Sequence, residues 1–277
     1  MIKQNPFSLY DFLGYFIPGA LLIYLLLFIQ YLENFKGQFV FLNFLNTGKD
    51  SNLEELLFFI IISYGFGHLI NFMSSITIEK YANWKYDYPS KYLLGIEKNE
   101  YWQKSRKIGN IWRILLPIII LPVTIFDLIL GDILKFKDFY TRKLDDFLIE
   151  IIKEKGLNLV NLLFKNKVNN LDVSKIGKYD FFRIFAHYTF ENTINHQFKL
   201  VNYVVLYGFL RTLTLITVAA FWYSLYSFIL LKSNVINFYI VIGIGTISYV
   251  FFMAFMKFYR RYTLEGFMLI AIDKDLI

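Results

Sequence analysis

The amino-acid sequence predicts an all-α membrane protein: two transmembrane helical hairpins, about four spans in all, with a mainly helical cytoplasmic domain inserted between them. Three observations carry this. Apolar residues make up 56% of the 277, aromatics 20% and charged residues 18%, which leaves too little polar surface for a soluble domain of this length. Those apolar residues are gathered into four charge-free runs, each long enough to meet the roughly 20 helical residues that a hydrocarbon core requires. If only these four runs cross, the lysines and arginines divide as 25 on one side and 3 on the other, with Arg211 at a boundary, the asymmetry expected of cytoplasmic loops.

The N-terminal hairpin occupies residues 1–78. Its first span, 12–32, is the 21-residue run Phe12 to Leu32, and its second, 56–78, is the 23-residue run Leu56 to Ile78, which contains His68. The first 11 residues hold no arginine pair and no cleavage-site pattern, so the first run reads as a retained span. The C-terminal hairpin occupies 200–277. Thr212 to Leu231 supplies 20 charge-free residues and Ser233 to Met256 another 24, giving spans 212–231 and 235–256. Between them Lys232 stands beside Asn234, which reads as a tight turn joining antiparallel helices, and a basic cytoplasmic tail follows.

Residues 79–199 are the part large enough to form a cytoplasmic domain. From Lys80 to Trp102 the chain mixes lysines with Tyr81, Trp84, Tyr86, Tyr88, Tyr92, Tyr101 and Trp102. That composition suits either a headgroup interface or aromatic packing within the domain. A short segment, 111–131, is set apart. Its apolar stretch Ile114 to Phe126 is 13 residues long, carries Pro117 and Pro122, and lies between Arg113 and Asp127. Two helix breakers in so short a run fit a re-entrant, interfacial or buried element better than a span. Making it a span would also put Lys257, Arg260 and Arg261 outside. Next, Phe136, Phe139, Tyr140, Leu144, Phe147, Leu148, Ile151 and Ile152 follow helical spacing, and Gly156 stands where such a helix would stop. Asn166 to Gly177 has loop composition. Tyr179 to Phe198 favours helix again, and the expectation is that this helix runs unbroken into the third span.

Chemistry-bearing motifs are scarce. The chain has no Cys, no phosphate-cradling loop, no metalloprotease histidine pair and no nucleophile elbow. His187 and Glu191 are four apart, but His196 adds no third ligand at a fitting spacing. No enzyme activity, cofactor or metal is therefore expected. The net charge of +7 reads as the cytoplasmic side of a membrane protein, with no specific nucleic-acid binding.

Polar and small residues near the membrane are the site candidates, because ionisable groups there are costly and often functional. Arg211 opens the third span. It either snorkels to the interface or pairs with Asp127, Asp11 or Glu265. His68 lies near Gly65 and Gly67 in the second span, and Gly243 and Gly245 lie at a similar depth in the fourth. Small residues at one depth allow close helix approach, and a pore lining containing His68 is the alternative.

The opening Asp11-Phe12-Leu13-Gly14-Tyr15-Phe16-Ile17-Pro18-Gly19, the stretch Tyr207-Gly208-Phe209-Leu210-Arg211-Thr212-Leu213 and the tail Tyr259-Arg260-Arg261-Tyr262 resemble bacterial multi-spanning membrane proteins that accompany anti-phage defence genes. What this resemblance implies is an effector of the cytoplasmic (inner) membrane that is held inactive, oligomerises or opens upon a cytoplasmic signal, and then disturbs the bilayer. The functional expectation is accordingly a homo-oligomeric membrane effector or channel-like protein with both termini cytoplasmic. The alternative is a non-conducting anchor or regulatory subunit that docks a soluble partner. A small transporter is disfavoured by the lack of paired intramembrane charges and inverted repeats.

Overall fold

The computed structural model describes residues 11–34, 52–96, 101, 107–164, 182–230 and 235–276. The loop expected at Asn166 to Gly177 and the turn at Lys232 lie outside them. Every regular element among the described residues is helical, and four helical stretches are long and apolar enough to cross a membrane. Two compact units partition the chain. The first comprises Met1–Glu79, Ile120–Val123 and Gly208–Phe252; the second comprises Lys80–Ile119, Thr124–Tyr207 and Met253–Ile277.

In the first unit a wide π-type turn, Phe12–Phe16, leads into α1 (Ile17–Asn34), which packs against α2 (Leu53–Ser74). Two glycines allow this. A methyl group added at Gly19 would overlap the backbone carbonyl of Ser63, and one at Gly67 would overlap that of Tyr15, so the two backbones lie in direct contact. Of the four glycines 65, 67, 243 and 245, Gly67 makes the expected close approach, with Gly19 as its counterpart, while Gly65 and Gly243 have open space where a side chain would go. The reason is geometric: Gly65 lies two residues from Gly67, which in a helix is a different face. Gly19→Ala and Gly67→Ala should each cost about 1–3 kcal/mol, since backbone cannot retreat as a side chain can. Gly65→Ala should stay within about 0.5 kcal/mol. Thermal unfolding of the purified protein in detergent compares the three, and equal losses would contradict the packing.

A second π-type turn, Ser75–Glu79, follows α2 and passes into α3 (Lys80–Tyr86) and α4 (Pro89–Leu93). Then come α5 (Lys107–Ile119) and α6 (Leu121–Phe126), bent by 89° at Ile120. The prolines explain the bend. Pro117 removes a backbone donor inside α5, and Pro122 occupies the first turn of α6, where a missing donor costs little. The Thr124 hydroxyl donates to the carbonyl of Pro117 at 3.0 Å and steadies the corner. A third π-type turn, Asp127–Ile133, ends this element.

The expected single amphipathic helix through Phe136 to Ile152 is interrupted. A short turn, α7 (Asp138–Thr141), ends at Arg142 in extended backbone, and α8 begins only at Asp146 and runs to Phe164. The interruption resets the helical phase. Tyr140, Leu144 and Ile152 are buried as the spacing predicts, but Phe139 and Phe147 are 79% and 70% exposed. Gly156 does not stop α8 either. It lies mid-helix, where the Phe185 ring covers the space a side chain would fill. Leu93, Ile152, Leu159, Phe185, Phe267 and Ile270 form the heart of the second unit's core.

Two long helices complete the fold, α10 (Ile194–Leu230) and α11 (Val235–Ile272). At about 1.5 Å per residue each reaches roughly 55 Å, well past a hydrocarbon core of about 30 Å. The tail expected after Met256 is therefore helical as far as Ile272. The helix expected to run unbroken from Tyr179 into the third span is divided, because α9 (Phe182–Asn192) stops before Thr193. There the Thr189 and Thr193 hydroxyls both donate to carbonyls of the preceding turn, which competes with the regular ladder. Tyr203 packs on Phe258 and Tyr207 on Phe255, while Phe228 packs on Phe238, an antiparallel pairing of α10 with α11.

Candidate functional site

Arg211 lies in the middle of α10 and is 8% exposed, so it does not run out along a lipid-facing surface. All three guanidinium nitrogens are engaged. Nη1 forms an ion pair with Glu79; Nη2 donates to Asn71 Oδ1 at 2.6 Å and to the Asn71 carbonyl at 3.3 Å; Nε donates to Ser74 Oγ at 3.1 Å. Ser74 in turn donates to the Asn71 carbonyl at 2.8 Å. A planar fork is thus matched by acceptors from one stretch of chain.

The expected partners Asp127 and Glu265 are engaged elsewhere, and the ion pair is with Glu79, a residue sequence reasoning passed over. The wide turn explains why. Over eight residues an uninterrupted α-helix would carry Glu79 roughly 80° past Asn71. Slower winding through the i→i+5 turn Ser75–Glu79 takes most of that rotation back, and Asn71, Ser74 and Glu79 come to share a face. Only the polar spacing hinted at it.

Asp127 opens the third π-type turn in the second unit, and its side chain is 0% exposed. Four donors converge on the carboxylate. Tyr81 donates to Oδ2 at 2.9 Å, Tyr86 to Oδ1 at 2.6 Å and Tyr140 to Oδ1 at 3.3 Å, and Lys85 pairs with Oδ2 at 2.8 Å. Lys85 also reaches Asp132 at 2.9 Å, which Lys137 meets at 3.0 Å. The Tyr86 and Tyr140 rings stand edge to face 5.7 Å apart. Of the two readings of the tyrosine-rich stretch, buried packing therefore describes Tyr81 and Tyr86, while Tyr88 is exposed. Their spacing from Lys85 on α3 is the one sequence sign of a shared anion.

The remaining candidates are dispersed. His68 stacks on Tyr15 with ring centres 3.9 Å apart and meets the edge of Tyr64 at 4.7 Å, so its ring belongs to the packing of the opening turn against α2. Asp11 immediately precedes that turn. Gly245 is buried in α11, whereas Gly65 is exposed. Glu265 accepts from Lys199 at 2.7 Å and lies 3.2 Å from His196, tying α11 to the start of α10. Near the C-terminus Tyr188 donates to Asp273 at 2.8 Å, and Lys155 reaches the Asp273 carbonyl. Burial, then the Asp273 carboxylate, pushes the Tyr188 phenol up to about 12, which keeps it a neutral donor at ordinary pH.

Chemically, the Arg211 and Asp127 networks are saturated charge pairs. Among the described residues no three His, Cys, Asp or Glu side chains gather as they would to hold a metal ion. Both networks suit holding one arrangement of helices against another, since a forked or four-donor anion site is lost as a whole when one element shifts. Set against known proteins, the chain matches no protein-family model, no curated protein and no solved structure.

Proposed function

We propose that this chain is a homo-oligomeric, multi-pass effector of the bacterial cytoplasmic membrane that alters permeability in response to a cytoplasmic signal, in a setting such as anti-phage defence. The observation that carries the reading is the pair of the buried Arg211 with the half-buried Glu79, formed between two helical stretches long and apolar enough to cross a membrane. Replacing such a pair by apolar residues is often neutral or stabilising, so retaining it points to a second arrangement in which the charges do something else. In this reading the paired state is closed, and a signal received by the second unit separates the pair.

Expression of the wild type and of Glu79→Gln in cells carrying a potential-sensitive dye tests the idea. The variant should depolarise cells without the natural trigger, and a variant as silent as an untransformed control argues against gating by this pair. A second reading, a non-conducting anchor that docks a soluble partner, is favoured by the exposed Phe139 and Phe147 rings on the second unit. Membrane topology serves both. A reporter at Lys49 should be external, and reporters at Lys107, Asn169 and Ile277 cytoplasmic. An external signal at Asn169 rejects the arrangement of two hairpins with a cytoplasmic insertion.

A further inference from the structure

Lys80, Trp84 and Arg113 form a cationic aromatic cluster that neither network absorbs. Lys80 Nζ stands 5.5 Å from the centre of the Trp84 ring, and the Arg113 guanidinium stands 5.1 Å from the same ring. Two cations thus share one indole. Arg113 is held by a reciprocal clamp: its Nη1 donates to the Tyr101 carbonyl, and the Tyr101 hydroxyl donates to the Arg113 carbonyl at 2.9 Å. The Tyr101 and Trp84 rings close the arrangement edge to face at 6.2 Å. No described carboxylate forms an ion pair with Lys80 or Arg113, although Lys85 and Lys91, which also stand near aromatic rings, each have one. The indole attracts both charges and cancels neither, so an anion within reach of both cations is favoured there.

The surroundings say which anion. Directly beyond Arg113, α5 carries Ile114, Leu115 and Ile118, all exposed aliphatic side chains. Lys80 follows the charge-free run Leu56 to Ile78 by two residues. Cations beside an amphipathic indole, at the point where polar chain gives way to exposed aliphatic side chains, are the chemistry of a headgroup boundary. We propose that Lys80, Trp84 and Arg113 bind the headgroup phosphate of an anionic phospholipid, whose acyl chains lie along the exposed face of α5. This rests on the membrane-spanning reading and is independent of any gating by Arg211.

Native mass spectrometry of the delipidated full-length protein in detergent tests the site, with phosphatidylglycerol and phosphatidylcholine added in parallel. At about thirtyfold for two unneutralised cations, phosphatidylglycerol should be retained over phosphatidylcholine by the wild type, and the preference should disappear in Lys80→Gln/Arg113→Gln. Because Arg113 also clamps Tyr101, the exposed Lys80→Gln alone is the second variant, and it should lose part of the preference with an unchanged unfolding temperature. Equal retention of the two lipids by the wild type, or an undiminished preference in the double variant, overturns the assignment. A large excess of inorganic phosphate should leave the adducts in place; their displacement would mean a site for free phosphate and would overturn the lipid as its source. Extraction of the chain from membranes by carbonate is scored separately, since it sinks the membrane reading and not the cation cluster.

Discussion

Asp127→Ala is expected to lower the stability of the purified protein by about 3–5 kcal/mol, because it takes from Lys85 and three tyrosine hydroxyls the fully buried carboxylate that they share. The chemistry of the site ranks the other variants. Asp127→Asn keeps the shape but offers one acceptor oxygen where two were used, and its amide hydrogens face donors, so its loss should approach that of alanine. Tyr86→Phe removes a single donor from a charged acceptor and should cost about 1.5–3 kcal/mol. Tyr140→Phe, whose bond is the longest at 3.3 Å, should cost less. Lys85→Met takes the paired cation from the buried Asp127, while Asp132 keeps Lys137, and it should exceed either tyrosine change. Thermal unfolding in one detergent, followed by tryptophan fluorescence, gives the order. An Asp127→Ala variant within about 0.5 kcal/mol of wild type would show that the network is open to water, contrary to its burial.

How much of this was legible follows from what local pattern encodes. The four membrane-length helices were readable because a run of some 20 residues without charge carries its own meaning, independent of what it packs against. The bend at Ile120 was foreshadowed by Pro117 and Pro122, since proline acts on the chain directly. Phase was not readable. Phe139 and Phe147 fit a helical stripe, yet an interruption at Arg142 with no glycine or proline to mark it turned both outward. The same holds for the π-type turns: nothing in Ser75-Ile76-Thr77-Ile78-Glu79 announces slower winding, so Glu79 could not be placed on the face of Asn71 and Ser74. Arg211 and Asp127 were singled out because a charge beside an apolar run is conspicuous by itself. Their partners were missed because partnership is a tertiary property. Tyr81, Tyr86 and Tyr140 look like ordinary aromatics until their hydroxyls are seen to converge.

Arg211→Leu should be the most damaging change in the first unit, with a loss of about 3–5 kcal/mol, and Glu79 supplies the means of showing why. Leucine fits an apolar helix and removes a costly charge, so by hydrophobicity alone the variant would gain stability. The loss expected comes from Glu79 left as a half-buried carboxylate without its cation, together with the stranded oxygens of Asn71 and Ser74. Adding Glu79→Gln to Arg211→Leu removes the stranded charge and should recover much of the loss, giving a coupling of about 1–3 kcal/mol across the double-mutant cycle. Arg211→Lys separates charge from shape. A lysine can meet Glu79 but presents no fork to Asn71 and Ser74, and it should fall between wild type and leucine. The cycle is read as unfolding temperature in detergent, and the same four proteins are scored for depolarisation in cells. Additive effects, with no recovery in the double variant, would mean that the pair is hydrated and contributes as little as a surface pair does. Recovery of stability without recovery of the closed, non-depolarising state would instead separate the two roles, because apolar and charged versions of one contact can be equally stable while only the charged one can be parted by a signal and re-formed.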